Sequence, residues 1–215
     1  MNVLLSTTYF GPVQWYQKLY RADEAWIECY ETFQKQTYRN RCVIATTQGI
    51  QALTVPVTGD RGMTTQAEAC HRDIIKDLRI SDHGNWRHLH WNAIRSAYGE
   101  SPFFEYYEDD IRPFFEKRWN FLLDFNEVIR EKICELIDFR PVVRHTSEYV
   151  RHEDLPSHFS NADFREAIRP KHPADDPDFT PKVYYQVFQQ KYGFLPNLSV
   201  LDILFNMGPE AIFWL

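Results

Sequence analysis

The start of the chain alternates between apolar and amphipathic segments, and this order restricts the fold more than any other feature. Residues 3–5 and 25–27 are short apolar runs. Between them, Gly11 and Pro12 precede a segment whose aromatic and leucine side chains recur at helical spacing. A strand, a helix and a second strand in this order favour two parallel strands joined by a right-handed crossover. The chain is therefore predicted to open with an α/β unit.

Later patterns extend this unit to a single α/β domain over residues 1–215. Residues 41–46 and 52–57 are predicted to form an antiparallel hairpin, and amphipathic helices follow in the middle of the chain. We predict a central mixed sheet flanked by helices. Residues 151–181 hold five of the twelve prolines and few aliphatic side chains. This segment is predicted to be irregular, and it either closes over a site or crosses the surface.

Composition and charge exclude several classes of protein. The net charge of −6 argues against a nucleic-acid binder, which needs a basic surface. No run of about 18 apolar residues is present, so no membrane span is predicted. The apolar stretch at the start is too short for a secretion signal, so a cytoplasmic location is expected. The four cysteines are widely spaced, so we predict neither a metal site nor a disulfide framework.

The densest group of candidate ligand-binding residues lies at 34–41, between the second predicted strand and the hairpin. Its candidates are Lys35, Tyr38, Arg39, Asn40 and Arg41. Guanidinium groups pair favourably with carboxylates and phosphates, so we predict an exposed anion-binding surface here. The alternative is a solvated hairpin flank with ordinary surface charges.

Three motifs resemble the WbqC-like protein family and occur in that family's order. They are Gln-Thr-Tyr-Arg-Asn-Arg at 36–41, Ser-Pro-Phe-Phe-Glu at 101–105 and the closing segment at 192–211. The run Ile-Ser-Asp-His-Gly-Asn-Trp at 80–86 is similar to Bacteroidetes-type members. The resemblance spans nearly the whole chain. It implies a bacterial setting in the synthesis of O-antigen, lipopolysaccharide and related surface polysaccharides, without naming a reaction or a cofactor.

Two histidines are candidate catalytic residues. His83 lies beside Gly84 in a predicted loop, where it is free to meet a ligand. His90 lies on the apolar stripe of the following helix, and its position eight residues before Tyr98 resembles a recurrent histidine of the family. Histidine titrates near neutral pH, which suits acid–base catalysis. The alternative for His90 is a hydrogen-bonded residue at the edge of the core.

Four further residues are candidates for ligand binding. Tyr9 and Trp15 lie in the opening unit and would provide stacking surface. Asp202 and Asn206 share one helical face and would either bind a hydroxylated ligand such as a sugar or cap the adjacent turn. The opening unit also has the outline of a nucleotide-binding unit, since free N–H groups at a helix N-terminus attract phosphate. Pro12 removes one such donor.

Together these features favour a transferase or ligase that acts in the cytoplasm on precursors of surface polysaccharides. It would bind an anionic donor, a nucleotide or an activated sugar, near Lys35, Arg39 and Arg41, and His83 or His90 would transfer a proton. The alternative is a non-catalytic protein that binds a ligand or a protein partner through exposed aromatic residues. The sequence names neither the cofactor nor the oligomeric state.

Overall fold

The computed structural model is an α/β protein, as the sequence predicts, and it describes residues 1–58, 74–155 and 162–215. Its strands are β1 (Asn2–Ser6), β2 (Glu24–Glu28), β3 (Arg41–Thr46), β4 (Gly49–Thr54), β5 (Val57–Thr58), β6 (Arg79–Ile80) and β7 (Val143–His145). Its α-helices are α1 (Val13–Arg21), α2 (Trp86–Tyr98), α3 (Phe104–Ile111), α4 (Pro113–Glu116), α5 (Leu122–Leu136), α6 (Gln189–Tyr192) and α7 (Val200–Met207). Short 3-10 helices lie at Ile75–Asp77, His83–Asn85, His152–Asp154 and Gly208–Trp214. No helix in these described ranges is long and apolar enough to cross a membrane.

The predicted opening unit is confirmed. β1, α1 and β2 follow one another, and β1 pairs with β2 in parallel. Trp15, Tyr16 and Leu19 of α1 are buried in the core, as their helical spacing predicts. Residues 13–19 of α1 are all buried, so the rest of the protein covers this helix on its polar side as well.

The strands of the described residues form three small sheets. β7 extends the parallel sheet beyond β2, which gives the order β1-β2-β7. On the other side of β1, Leu4 makes a parallel bridge with Asp163, and the Leu4 N–H donates to the Ala162 carbonyl over 2.8 Å. Separate antiparallel pairs join β3 to β4 and β5 to β6. Parallel and antiparallel pairings are therefore both present, as predicted, but they belong to different sheets.

The hairpin turn is shorter than the sequence predicts. β4 begins at Gly49, so only Thr47 and Gln48 separate it from β3. Gly49 has a φ of 100°, a conformation that glycine adopts readily. The Thr46 hydroxyl closes the turn, because it donates to the Gly49 carbonyl over 2.9 Å and accepts from the Gln48 N–H over 3.2 Å.

Apart from the 3-10 helix at His152–Asp154, the described part of the proline-rich segment is irregular, and it packs against the opening unit. Phe164 and Ile168 are buried. Lys18 of α1 forms an ion pair with Asp176 over 2.6 Å, and both side chains are 4% exposed. Gln14 donates to the same carboxylate over 2.8 Å. We call residues 162–176 the strap, because these contacts bind them to α1.

The closing segment of the chain completes the N-terminus of α1. The Val13 N–H donates to the Leu198 carbonyl over 3.0 Å. The Gln14 N–H donates to Asn197 Oδ1 over 3.0 Å. These two donors are therefore not free to bind the phosphate that a nucleotide-binding unit would hold at this helix end.

Candidate functional site

Charged side chains gather where the parallel strands end. β1 ends at Ser6 and β2 ends at Glu28, and these two residues are register partners, so both strands end at the same edge of the sheet. The bridge between Leu4 and Asp163 brings Arg165 of the strap to this edge. Open α/β sheets bind their ligands outside the carboxyl ends of the strands. This edge is therefore the candidate functional site.

Arg39 and Glu31 form a buried ion pair at the site. Arg39 Nε donates to Glu31 Oε1 over 2.7 Å, and Arg39 Nη2 donates to Glu31 Oε2. Nη2 also donates to Ser6 Oγ over 2.9 Å. Arg39 is 2% exposed and Glu31 is 5% exposed. The guanidinium thus holds the carboxylate through two hydrogen bonds, and both side chains have little contact with bulk water.

Glu28 and Arg165 form a second buried pair. Arg165 Nη1 donates to Glu28 Oε2 over 3.2 Å, and Nε and Nη2 donate to the two oxygens of Asp163 over 2.9 and 2.8 Å. Glu28 also accepts from Thr146 Oγ1 over 2.9 Å and from the Val150 N–H over 3.0 Å. Burial raises the pKa of Asp163, but the hydrogen bonds from Arg165 outweigh it and hold this pKa below its ordinary value. The pair joins the ends of β2 and β7 to the strap.

A cavity of about 740 Å³ opens beside these pairs, and we call it the sheet-edge cavity. It is lined by Tyr30, Glu31, Thr32, Gln34, Ile74, Tyr149, Arg151, His152, Asp163, Arg165 and Glu166. The volume suits a small organic ligand. Two tyrosine rings offer flat faces, while carboxylate, amide and guanidinium groups offer directed hydrogen bonds. This combination suits a hydroxyl-rich ligand, and the exposed Arg151 offers a partner for an anionic group on it.

The predicted anion-binding segment divides into an exposed half and a buried half. Residues 34–36 are exposed, whereas residues 37–40 are buried. Lys35 lies at the surface, next in the chain to Gln34 of the sheet-edge cavity. The prediction that the whole segment is exposed is wrong for Arg39, because Glu31 and Ser6 supply the partners that make burial of its charge possible.

The neighbouring candidates of the segment contact the protein itself. Asn40 Nδ2 donates to the Val55 carbonyl over 2.8 Å. Arg41 Nε donates to Thr54 Oγ1 over 3.0 Å. Tyr38 is 8% exposed, and burial raises its pKa to about 12. Asn40 and Arg41 therefore fasten this segment to the end of β4.

Tyr9 and His90 meet in the aromatic core. The Tyr9 hydroxyl oxygen lies 2.9 Å from His90 Nδ1. The Tyr9 ring packs on Phe125, and the His90 ring packs on Trp86. Burial lowers the pKa of His90 to about 4, so its ring is neutral at pH 7. The environment of His90 matches the alternative given by the sequence, a hydrogen-bonded histidine packed in the core.

Trp15 and His83 lie in contrasting places. Trp15 is buried, and its Nε1 donates to the Ser6 carbonyl over 2.9 Å. This hydrogen bond ties the end of β1 to α1. His83 is exposed at the start of a 3-10 helix, and its N–H donates to Ser81 Oγ over 3.2 Å. Neither residue lines the sheet-edge cavity.

Asp202 and Asn206 lie within α7 and are buried. Asp202 Oδ2 accepts from the Tyr184 hydroxyl and from Gln186 Nε2, both over 2.8 Å. Asn206 Nδ2 donates to the Asp202 backbone carbonyl over 2.7 Å. Burial raises the pKa of Asp202 to about 6, although hydrogen bonds from Tyr184, Gln186 and Tyr98 lower it. Asp202 thus anchors the segment that carries Tyr184 and Gln186.

Asp202 is expected to make the stability of the protein depend on pH. Its pKa is about 6 in the folded protein, against an ordinary value of 3.8. The stabilisation from proton binding is therefore complete below about pH 4 and is lost as the pH rises through about 6. Each pKa unit corresponds to about 1.4 kcal/mol. The unfolding free energy of the wild type, minus that of Asp202→Asn, should fall by about 2–3 kcal/mol from about pH 4 to 7.

Urea unfolding across this pH range measures that difference. Glu210→Gln is the matched control, because it removes an exposed carboxylate near the same helix. For the control, the difference from the wild type should stay flat. A flat difference for Asp202→Asn would contradict the role given to its burial.

Four central residues of the site are absent from the sequence-based prediction: Glu28, Glu31, Asp163 and Arg165. One signal was available for Glu28, because it directly follows the apolar run at 25–27, and a charge at the end of a buried parallel strand marks a ligand edge. Asp163 and Arg165 lie in the proline-rich segment, where no periodicity predicts a position in the fold. Only the bridge to β1 brings them to the site.

The chain has relatives among known proteins. The model of the WbqC-like protein family matches residues 7–213. An uncharacterized protein of Mycobacterium tuberculosis is 25% identical over 198 residues, a match that covers 83% of this chain and 81% of the relative. No solved structure matches the chain. The assignment to Bacteroidetes-type members stays a prediction. Because the match covers residues 7–213, which include the end of β2 and the strap, the chain that builds this site belongs to the WbqC-like protein family.

Proposed function

We propose that the protein is a cytoplasmic transferase or ligase of surface-polysaccharide biosynthesis, and that its anionic donor occupies the sheet-edge cavity. The donor is a nucleotide or an activated sugar. Membership of the WbqC-like protein family suggests a role in polysaccharide biosynthesis. One observation supports placing the donor here. Two buried ion pairs lie beside a single cavity at the carboxyl edge of the sheet.

Buried ion pairs need a reason other than stability. Removing charges from water is so unfavourable that apolar residues of similar volume often stabilise a protein equally well or better. Glu31 and Arg165 each belong to a buried pair and also line the cavity. A ligand would therefore meet side chains whose orientation is already fixed, which reduces the entropy lost on binding.

Different walls of the cavity would bind different parts of the donor. Tyr30 and Tyr149 offer faces for a base or a sugar ring. Gln34 and Glu166 can exchange hydrogen bonds with hydroxyl groups. Arg151, whose side chain is 68% exposed, can pair with a phosphate. Lys35 beside Gln34 adds positive charge at the surface, while Arg39 acts as a positioning residue through Glu31.

A thermal-shift screen tests the proposal. The probes are ATP, CTP, UDP-sugars and dTDP-sugars, acyl-CoA and free amino acids, each with and without magnesium. A ligand at about a hundred times its dissociation constant stabilises by about 2.7 kcal/mol. For a protein of this size that corresponds to a rise in Tm of about 5–10 °C. We expect a nucleotide or nucleotide sugar to produce it.

Variants then locate the binding site. Tyr149→Ala and Arg151→Ala change exposed side chains of the cavity and should abolish the shift without lowering the Tm of the free protein. Arg118→Ala is the matched control, because this exposed arginine does not line the cavity. If no probe raises the Tm, or if both cavity variants keep the full shift, the proposed donor site is wrong.

A non-catalytic binding protein is the second candidate. The internal pairing of Arg39 favours it, because this arginine of the predicted anion-binding segment is only 2% exposed and pairs with Glu31 instead of a ligand. Mass spectrometry of the bound donor after incubation with sugar acceptors separates the two functions. A transferase consumes the donor, whereas a binding protein returns it unchanged.

A further inference from the structure

A second cavity lies next to the sheet-edge cavity. Its volume is about 350 Å³, and its lining includes Tyr30, Lys76, Asp124, Glu127, His145 and Thr146. Tyr30 lines both cavities. We call the second one the His145 cavity.

His145 is the side chain of this cavity best suited to accept a proton. It ends β7, and its side chain is 47% exposed. Its Nε2 lies 2.9 Å from Glu127 Oε2, and the same oxygen accepts from Arg130 Nε over 3.0 Å. A carboxylate partner keeps the proton of the neutral imidazole on Nε2 and leaves Nδ1 as an acceptor. Among the described residues, Nδ1 has no hydrogen-bond partner.

The electrostatic setting favours proton acceptance near neutral pH. The hydrogen bond that His145 donates to Glu127 raises the pKa of His145 above its ordinary value, and burial opposes this. The other charged groups that face the imidazole or line its cavity are Arg130, Glu131, Lys76 and Asp124. A base whose pKa lies close to the working pH is effective in catalysis.

Glu28 connects the two cavities. It accepts from Thr146, which lines the His145 cavity, and from Arg165, which lines the sheet-edge cavity. Glu28 is fully buried between these partners, so it ties one lining residue of each cavity to the other. Ligands bound in the two cavities would meet at Tyr30.

We infer that the His145 cavity binds the acceptor, a sugar hydroxyl or amine, and that His145 is the catalytic base. The inference rests on the proposed function, in which the sheet-edge cavity holds a phosphate-activated sugar. The acceptor proton passes to His145 Nδ1, and the freed lone pair forms a bond to the anomeric carbon of the donor. The bond from that carbon to the phosphate oxygen breaks, and its electron pair leaves with the phosphate. Glu127 is a positioning residue that orients the imidazole and stabilises its protonated form.

Nuclear magnetic resonance of ¹⁵N-histidine-labelled protein tests the acceptor site without any donor. The probes are methyl glucoside, which offers hydroxyl groups, and methyl glucosaminide, which adds an amine, each up to tens of millimolar. His145→Gln assigns the resonance, and Glu127→Gln should lower the pH at which it titrates. We expect at least one probe to shift the His145 signals and to leave those of His88, an exposed histidine of α2, in place.

The two probes also distinguish the acceptor group. A shift with both probes indicates recognition of hydroxyl groups, and a shift with the glucosaminide alone indicates recognition of the amine. If neither probe moves the His145 signals, or if His88 responds equally, the acceptor site is overturned.

Catalysis provides the second readout. With the donor found by thermal shift, His145→Gln should keep the donor-induced rise in Tm and lower transfer to the sugar probe by about 10²–10⁴-fold. Transfer at the wild-type rate would overturn the role of His145 as a base. A His145 response without any donor-induced shift would count against the proposed function alone and would leave the acceptor site supported.

Discussion

An Arg39→Ala variant is expected to lose about 3–5 kcal/mol of its free energy of unfolding. The substitution removes both hydrogen bonds to Glu31 and the one to Ser6. Glu31 then keeps a buried carboxylate without its cation, and an uncompensated buried charge is far less favourable than the original pair. Urea unfolding followed by circular dichroism measures the loss.

Two further variants distinguish the stability lost with the ion pair from the stability lost with side-chain volume. Arg41→Ala, two residues along the chain, removes a partly exposed guanidinium and should change stability by less than about 1 kcal/mol. The double variant Arg39→Met, Glu31→Met removes both charges and should recover most of the stability. If Arg39→Ala is as stable as Arg41→Ala, the buried pair does not hold the site together.

A Lys18→Ala variant is expected to lose stability of the same order, about 3–5 kcal/mol, through a different element. Lys18 pairs with Asp176 where both side chains are buried, and its ammonium lies 4.4 Å from the centre of the Phe164 ring. The variant leaves Asp176 with Gln14 as its remaining partner. In addition to the lower free energy of unfolding of the whole protein, the strap should therefore detach from α1 more often.

Limited proteolysis measures this detachment directly. Cleavage within residues 162–176 should accelerate in Lys18→Ala under conditions where the rest of the chain stays intact. Lys171→Ala is the control, because Lys171 is exposed within the strap. Equal cleavage rates in the two variants would contradict the role of the buried pair.

The opening unit could be predicted from sequence because local patterns determine it. The apolar runs of β1 and β2 and the helical spacing of Trp15, Tyr16 and Leu19 are properties of neighbouring residues. The amino-acid types at 34–41 also indicate that Arg39 takes part in an ionic interaction. Its burial could not be predicted, because Ser6 lies 33 residues earlier and the fold brings it to the guanidinium.

The candidate site depends still more on distant contacts. Arg165 reaches Glu28 across 137 residues of sequence, and Thr146 reaches it across 118. The helical spacing of Asp202 and Asn206 predicts a pair of ligand-binding residues. Its actual partners, Tyr184 and Gln186, come from an irregular segment whose path no pattern predicts.

The closure of α1 by the closing segment has a consequence for protein synthesis. Gln14 is separated by 183 residues from Asn197, the residue that accepts its N–H. While the ribosome is still translating, the first helix lacks these partners, and the opening unit cannot reach its final structure. Until residues 197 and 198 emerge, the apolar strands and helix of the opening unit lack part of their covering, and exposed surface of this kind favours aggregation. The order of elements along the chain therefore means that the first helix completes its hydrogen bonds only after residues 197 and 198 have emerged from the ribosome.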